Sequence, residues 1–332
     1  MTNPTIVIAA FDRALPSGLS GIADMFTLSC FGLAHSDHAE GTLWAPDVII
    51  ASQDGAPIHD GAGREFDVHR ALPEITRCDA VLIPGFVPDS AGLPPATITD
   101  PATRSWLAQQ HSRGALICSS CSGAFVIGES GLLNGRRCTT TWWLHDELRR
   151  RFYRANPAWG SGLIADGCVV TAGGPLSWVD ISLHVIRTVG GHHAAKLTAD
   201  FAVVDTAPKA QAIYAPQGHL AANDPFLANA EHIVRQSQGR PLSTRALAAE
   251  LTVSERTLHR KLKRLTGEAP KAFIDRVRVD QACTLLQTTT SSIKSIGLTL
   301  GYSDESVFRR LFRRRTGMTP TAYRRWLQDR KY

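Results

Sequence analysis

The chain has 332 residues, of which 43% are hydrophobic and 20% charged; this is the composition of an ordinary globular protein and, at roughly 100–200 residues per domain, suggests two domains. No apolar run approaches the roughly 18 residues that span a bilayer, so an integral membrane protein is not expected. Residues 1–205 hold 14 Lys and Arg against 20 Asp and Glu, whereas residues 206–332 hold 22 against 10. This asymmetry suggests a polyanion-binding module fused to a module with a different task.

Neither the N-terminus nor the cysteines indicate export. Residues Met1–Ala10 lack a basic segment and a long apolar segment, so no signal peptide is expected. The seven cysteines are scattered between Cys30 and Cys283, and we expect reduced thiols in a cytoplasmic protein rather than a disulfide framework. Histidines and cysteines do not cluster at ligand spacing, so we expect neither a metal site nor a cofactor.

Short apolar segments alternate with helical patterns in the first 205 residues. The predicted strands are Thr5–Ala10, Asp47–Ala51, Ala80–Pro84 and Ala115–Cys118, and the clearest predicted helices are Gly21–Leu33 and Ala102–Arg113. This alternation predicts an α/β domain with a parallel sheet and helices on both faces, a flavodoxin-like sandwich. Such folds bind small ligands beyond the carboxyl ends of their strands.

One strand end carries a candidate nucleophile. Residues Ala115–Phe125 run from a strand through a sharp turn into a helix, and small residues flank Cys121. This is the mechanical requirement of a nucleophile elbow. A thiol at a helix N-terminus is expected to have a lowered pKa. Cys118 stands at redox-motif spacing from Cys121, but we expect it to be buried in the strand and inert.

Several motifs between residues 4 and 205 form a family pattern. They are Leu82-Ile83-Pro84-Gly85, the Cys121 elbow, the run Gly131–Thr140, and Thr171-Ala172-Gly173-Gly174 followed by Asp180 and Leu183. With them, this half resembles the DJ-1/PfpI branch of the class I glutamine amidotransferase-like fold. The resemblance implies a ligand pocket at the elbow, for which the candidate residues are Gly18, Gly85, Phe86, Cys121, Ser122, Thr140, Thr141 and Trp142.

Two positions depart from the pattern that the resemblance implies for catalytic members. A carboxylate near the start of the first helix is replaced by Gly18, and a histidine after two threonines is replaced by Thr141. Nucleophilic catalysis needs a base oriented beside the nucleophile, so we expect no catalytic residue and regard Cys121 as a vestigial nucleophile. His145 is a conceivable substitute base, although a solvent-facing or packing role is favoured.

The basic half contains a duplicated segment. Residues 206–224 have linker composition, so we predict a sensing and dimerisation domain over 1–205 and a second domain over 225–332. Within that domain, Leu258–Phe273 recurs as Phe308–Tyr323 with Thr-Gly-x-x-Pro-x-Ala-aromatic intact. Two copies are too few for a solenoid, so this is one duplicated unit.

Each copy is predicted to fold as a helix-turn-helix. The second helix of the first copy is capped by Ser254 and stopped by Gly267, and that of the second copy starts at Ser303 or Asp304 and ends before Gly317. The cations of these helices lie off the apolar stripe, as in a helix that enters the major groove. The alternative to DNA binding is an ordinary surface helix stabilised by salt bridges, which would need acidic residues interleaved with the basic ones.

About residues 225–327 resemble the AraC/XylS family of transcription regulators, most specifically in Gly301-Tyr302-Ser303 and Pro320-Thr321-Ala322-Tyr323-Arg324. The resemblance implies an all-α domain whose two helix-turn-helix units enter successive major grooves of double-stranded DNA. By register, the base-facing positions are Arg256, His259, Arg260, Glu305, Ser306, Arg309 and Arg310. The positions assigned to phosphates are Lys263, Arg264, Arg313 and Arg314.

Together the two resemblances imply a cytoplasmic transcription regulator, most simply an activator. The expected partners are promoter DNA, RNA polymerase, a small-molecule effector and a second copy of the chain, with no membrane. One alternative is a thiol-dependent amidase-like or hydrolase-like enzyme fused to a DNA-binding domain. Another is a purely architectural DNA protein whose pocket is filled by side chains.

Overall fold

The structure is a computed structural model that describes residues 3–35, 44–89, 92–208, 210, 211, 214, 224–237 and 239–329. Its contacts divide the chain into two units, residues 1–157 with 161–208 and residues 209–332 with 158–160. The boundaries predicted at 205 and 225 stay a prediction. Residues 209, 212, 213 and 215–223 of the predicted linker lie outside the described residues.

The first unit is built on a seven-stranded sheet with the order β10-β11-β7-β6-β1-β2-β5. The strands are β1 (Thr5–Ala9), β2 (Asp47–Ser52), β3 (Ile58–His59), β4 (Glu65–Phe66), β5 (Arg70–Ala71), β6 (Ala80–Ile83), β7 (Leu116–Ser120), β8 (Arg137–Cys138), β9 (Asn156–Pro157), β10 (Leu163–Asp166) and β11 (Val169–Ala172). Neighbours in the seven-stranded sheet run parallel, apart from the antiparallel pair β10 and β11. The predicted sheet is thus confirmed.

Helices cover both faces of this sheet. They are α1 (Pro16–Ala34), α2 (Pro101–Ser112), α3 (Ala124–Glu129), α4 (His145–Arg151), α5 (Trp178–Val185) and α6 (Gly191–Ala202). Successive strand side chains point to opposite faces: Val7 packs in one apolar cluster with residues of α2 and α3, and Ile8 packs in the other with residues of α1, α5 and α6. Both faces are therefore buried, which accounts for the uninterrupted apolar strands.

Helix α1 corrects one expectation drawn from the sequence. By length and composition alone it qualifies as a membrane span, with 19 residues and a mean hydropathy of 1.2. Leu19, Ile22, Met25 and Phe26 of this helix are buried in the cluster that covers one face of the sheet, whereas Phe31 is exposed. The apolar character of α1 is therefore that of a core helix.

The second unit is helical throughout its described residues. Its helices are α7 (Pro225–Gln236), α8 (Thr244–Glu250), α9 (Glu255–Thr266), α10 (Pro270–Thr288), α11 (Ile293–Thr299), α12 (Glu305–Thr316) and α13 (Pro320–Asp329). Two separate apolar clusters form within it, one around Leu258 and Leu262 of α9 and one around Phe308 and Phe312 of α12. The long helix α10 contributes residues to both clusters, so it is the shared support of two helix-turn-helix units.

The predicted helix ends of the duplicated unit are confirmed. The Ser254 hydroxyl accepts the Thr257 amide at 3.1 Å, and the Asp304 carboxylate accepts the Ser306 amide at 2.7 Å. Gly267 and Gly317 end α9 and α12 in the left-handed conformation, which glycine adopts without strain.

The two turns differ in a way that the repeat did not reveal. In the first helix-turn-helix the turn enters the left-handed region at Thr252, with a φ of 55°. In the second helix-turn-helix it does so at Gly301, with a φ of 82°. The N-caps Ser243 and Ser254 enclose the first short helix and turn, and Ser292 and Asp304 enclose the second. The second turn is consequently one residue longer, so the repeat offset changes between the two helices of each unit.

Candidate nucleic-acid interface and ligand site

Cys121 lies at the carboxyl end of β7, where the chain makes a strained turn. Its φ is 53°, in the left-handed region that a residue with a Cβ enters at a cost of about 1–3 kcal/mol. The turn is pressed against the end of the neighbouring strand β6, because a Cβ placed on Gly85 would lie 2.9 Å from the Cys121 Cβ. The geometry of the predicted elbow is therefore present.

Hydroxyl groups hold this turn in place. The Ser122 Oγ donates to the Phe86 carbonyl at 2.8 Å and accepts the Phe86 amide at 2.8 Å. The Thr140 Oγ1 donates to the Cys121 carbonyl at 2.7 Å. The structure thus brings Gly85, Phe86, Cys121, Ser122 and Thr140 of the predicted pocket together. The same bonds occupy the Phe86 amide, which donates to the Ser122 hydroxyl.

Burial governs the protonation of the Cys121 thiol. Burial raises its pKa to about 11, and this effect outweighs the lowering effects of Ser122 and Thr141. The predicted lowering was wrong because the side chain is only 4% exposed, and the short helix that follows, Ala124–Glu129, does not offset the loss of solvent. Cys118 is fully buried, and burial also raises its pKa far above the ordinary value.

The position of the missing carboxylate is closed by the ring of Pro84. Gly18 is buried in the first turn of α1, and a Cβ there would lie 2.6 Å from the Pro84 Cβ. Ring atoms of a proline in this position cannot rotate away, so a glutamate does not fit without a backbone shift. Gly18 therefore packs against the loop that follows β6 and contributes no functional group there.

The remaining predicted pocket residues follow β8. Thr141 is fully buried, and hydrogen bonding between its hydroxyl and the thiol lowers the pKa of Cys121. Trp142 is half-buried and meets the ring of Trp143 edge-on at 5.2 Å. His145 is 2% exposed, so the solvent-facing alternative was wrong, and no described imidazole is among the groups that shift the pKa of Cys121.

In the second unit, the predicted DNA-contacting cations line the open faces of α9 and α12. The exposed residues on the first helix are Arg256, His259, Arg260, Lys263 and Arg264, and those on the second are Ser306, Arg309, Arg310, Arg313 and Arg314. The opposite faces, formed by Leu258, Leu262, Phe308 and Phe312, are fully buried. Each second helix therefore presents one apolar and one cationic face. That these side chains contact DNA stays a prediction.

Two of these cations have partners within their own helix. The Arg309 guanidinium lies 2.6 Å from the half-buried carboxylate of Glu305, one turn earlier, a spacing that the sequence already showed. The Lys263 ammonium donates to the Gly267 carbonyl at 2.9 Å. Both contacts orient the side chain before any ligand arrives.

One cation of α12 departs from the prediction that the cations lie off the apolar stripe, and its partner was not predicted. Arg315 follows Arg313 and Arg314 in the sequence, but its side chain turns inward and pairs with Glu268 at 2.9 Å. Glu268 also pairs with Arg276, which is only 5% exposed. The one available signal was the helical register, since Arg315 falls on the same face as Phe308 and Phe312.

Comparison with protein families identifies both units. The DJ-1/PfpI family model matches residues 45–188, and a helix-turn-helix domain model of the AraC type matches residues 247–325. The chain joins a DJ-1/PfpI domain to an AraC-type helix-turn-helix domain. A THiJ/PfpI family protein from Pseudomonas syringae superposes with a TM-score of 0.50 over 76% of this chain and 91% of its own, at 19% identity, which supports the fold of the DJ-1/PfpI domain.

Two relatives of known function contain similar sequence, one a transcriptional regulator and the other an enzyme. The HTH-type transcriptional regulator CdhR of Pseudomonas aeruginosa is 25% identical over 87% of this chain and 83% of its own length. The isonitrile hydratase of Pseudomonas putida is also 25% identical, over 62% of this chain and 83% of its own length. The first similarity extends across both domains, whereas the second shows that related domains occur in enzymes.

Proposed function

We propose that this protein is a sequence-specific transcription regulator whose DJ-1/PfpI domain senses a small molecule without turning it over. The observation that carries the proposal is the pair of cationic helices α9 and α12, each the second helix of a helix-turn-helix and each open on its charged face. Helices of this kind place their N-terminal turns against base edges and their later cations near phosphates.

The assignment of contacts follows from position along each helix. Arg256, His259 and Arg260 occupy the early turns of α9, and Arg309 and Arg310 the early turns of α12. We assign these to bases, with arginine favouring guanine through two parallel hydrogen bonds. The exposed cations one turn later, Lys263 and Arg264 on α9 and Arg313 and Arg314 on α12, are assigned to phosphates.

A sensing role for the DJ-1/PfpI domain rests on the inactive elbow. Cys121 keeps its strained turn, but burial holds the thiol protonated and Gly18 leaves no room for an acid partner. The elbow residues Gly85, Phe86, Ser122, Thr140 and Thr141 carry no ionisable side chain. The part of the ligand that meets the elbow is therefore an uncharged hydrogen-bonding group, because a buried charge without a counter-charge is costly.

The other functional assignments complete this proposal. The ligand must bind one arrangement of the protein better than another in order to change transcription. We place the protein in the cytoplasm as a homodimer that binds two DNA half-sites and, as an activator, recruits RNA polymerase. The effector in this scheme is a small nitrogen-containing or amino-acid-derived metabolite.

A thermal-unfolding screen of the full chain tests the sensing role. A metabolite that binds only the folded protein raises the midpoint of unfolding, and replacement of Thr141 by Val should remove that shift. Thr99 has a hydroxyl that is buried elsewhere in the same unit and bonded to Glu129, so Thr99→Ser is a control that should keep the shift. A shift that survives in the Thr141 variant would place the ligand away from the elbow.

An enzymatic role for the Cys121 elbow is the second candidate, and the isonitrile hydratase relative is the observation in its favour. Turnover of an isonitrile, amide or glyoxal substrate that disappears in Cys121→Ala would support it. The neutral, buried thiol argues against it, because the thiolate is the nucleophilic form.

A further inference from the structure

The two helix-turn-helix units have separate apolar cores. One cluster contains residues of α7, α8, α9 and the first half of α10, and the other contains residues of the second half of α10, α11, α12 and α13. Apolar packing within each cluster fixes each unit, but it does not by itself fix one unit against the other. What holds α9 and α12 in register must then come from α10 and from polar contacts between the units.

Such a polar contact lies at the C-terminal ends of α9 and α12. These second helices of the two helix-turn-helix units are called the reading helices below. Glu268 stands just beyond the C-terminus of α9, and Arg315 stands in the last turn of α12. The Arg315 Nη1 lies 2.9 Å from the Glu268 Oε1, and its Nη2 donates to the Ala272 carbonyl at 2.6 Å. One guanidinium thus fastens the end of α12 to the segment that follows α9.

The Glu268 carboxylate is itself held from the other side. Its Oε2 accepts the Arg276 Nε at 2.9 Å, and the Arg276 Nη1 lies 3.2 Å from Glu231 and 3.4 Å from Asp280. The Glu268 side chain is 10% exposed and that of Arg276 5%. Because hydrogen-bonded ion pairs depend on distance and angle, this network defines one position for Glu268 and, through it, one for Arg315.

A second polar link involves the segment between α7 and α8, just before the first helix-turn-helix. The Gly239 amide donates to the Thr299 carbonyl at 2.7 Å, and the Arg278 Nη2 donates to the Arg240 carbonyl at 2.9 Å. This link ties the segment before α8 to the last residue of α11 and to α10. A single point of attachment permits rotation about it, and a second point of attachment removes that freedom.

We propose that the Glu268–Arg315 pair is a positioning device that sets the phase between α9 and α12 and thereby the number of base pairs between the two half-motifs that one protomer reads. The inference rests on the proposed DNA-binding function. Arg315 is a positioning residue that acts through α12 and does not touch DNA, unlike its neighbour Arg314, whose side chain is exposed.

Selection of binding sites from a random pool of double-stranded DNA by the full-length protein tests this role. The wild type is expected to select two half-motifs at one spacing. The Arg315→Met variant should select the same half-motifs at that spacing and at spacings one base pair shorter or longer. The matched control, Arg314→Met, should keep the single spacing and bind all selected sequences more weakly, since it removes only a phosphate contact.

Binding titrations measure how strongly each variant discriminates between sites of different spacing. We expect the wild type to bind a site with one inserted base pair about tenfold more weakly than the selected site, and Arg315→Met about threefold or less, on the scale of ordinary operator mismatches. Arg315→Lys keeps a cation for Glu268 and should restore most of the discrimination.

Glu268→Gln is the second variant, in case Arg315→Met does not fold. It keeps an acceptor for Arg315, and Arg276 keeps Glu231 and Asp280, so partial loss of discrimination is expected. Unchanged discrimination in the folded variants would overturn the positioning role. Failure of the wild type to select any sequence would instead overturn the proposed function itself.

Discussion

Gly18 and Pro84 are packed so closely that residue 18 has no space for a side chain: a Cβ there would lie 2.6 Å from the Pro84 Cβ. The contact joins the first turn of α1 to the loop that directly follows β6. Position 18 of this DJ-1/PfpI domain thus lacks a carboxylate by residue identity, and packing against the Pro84 ring leaves little space for one.

Restoring the carboxylate should therefore damage the fold and leave the thiol inactive. We expect Gly18→Glu to lower the free energy of unfolding by about 1–3 kcal/mol, the usual cost of overpacking a filled site. Ser20→Glu is the matched control, because Ser20 lies on the exposed face of the same helix. Denaturant unfolding of both variants measures the difference, and equal stabilities would show that the Pro84 contact yields easily.

The protonation state of Cys121 is open to direct measurement. With a pKa of about 11, the thiolate fraction at neutral pH is small, and the rate of alkylation at Cys121 should rise about tenfold per pH unit between pH 7 and pH 9. An activated elbow thiol would instead reach its plateau near neutral pH. Peptide mass spectrometry after timed treatment with iodoacetamide separates Cys121 from the other six cysteines.

Base-facing and phosphate-facing arginines should fail in different ways. Arg310→Ala is expected to cost about 1–3 kcal/mol against the preferred site and to relax sequence preference there. Arg314→Ala should weaken all sequences alike and should reduce the slope of log K against log salt by about 1, because one phosphate contact is lost. Fluorescence anisotropy over a salt series provides both numbers. If the two variants behave identically, the assignment of these positions is wrong.

The second turn offers a stability test with its own control. Gly301 and Gly317 have nearly equal φ values, 82° and 78°, but a Cβ on Gly301 would lie 2.7 Å from the Arg240 carbonyl oxygen, whereas nothing lies within 4 Å of one on Gly317. Gly317→Ala should cost about 1 kcal/mol from backbone strain alone. Gly301→Ala should cost clearly more, since it also displaces the Arg240 segment. Thermal unfolding of the two variants distinguishes strain from collision.

Much of this architecture could be inferred from local sequence. The apolar segments and the small residues around Cys121 predicted the parallel sheet and the elbow, and Ser254, Asp304, Gly267 and Gly317 predicted the ends of the reading helices. These signals are local, because capping, left-handed turns and helical periodicity depend on residues within one or two turns of each other. The assignment of cations to the open faces of α9 and α12 followed from the same periodicity.

Three properties were decided only in the tertiary structure. The pKa of Cys121 depends on how completely neighbouring segments exclude water from the thiol, and the closure of position 18 depends on a proline that lies 66 residues away in the chain. Arg315 directly follows Arg313 and Arg314 in the sequence, but its carboxylate partner is Glu268, 47 residues earlier. Burial and long-range pairing depend on contacts between segments far apart in the chain, and no local sequence pattern contains those contacts.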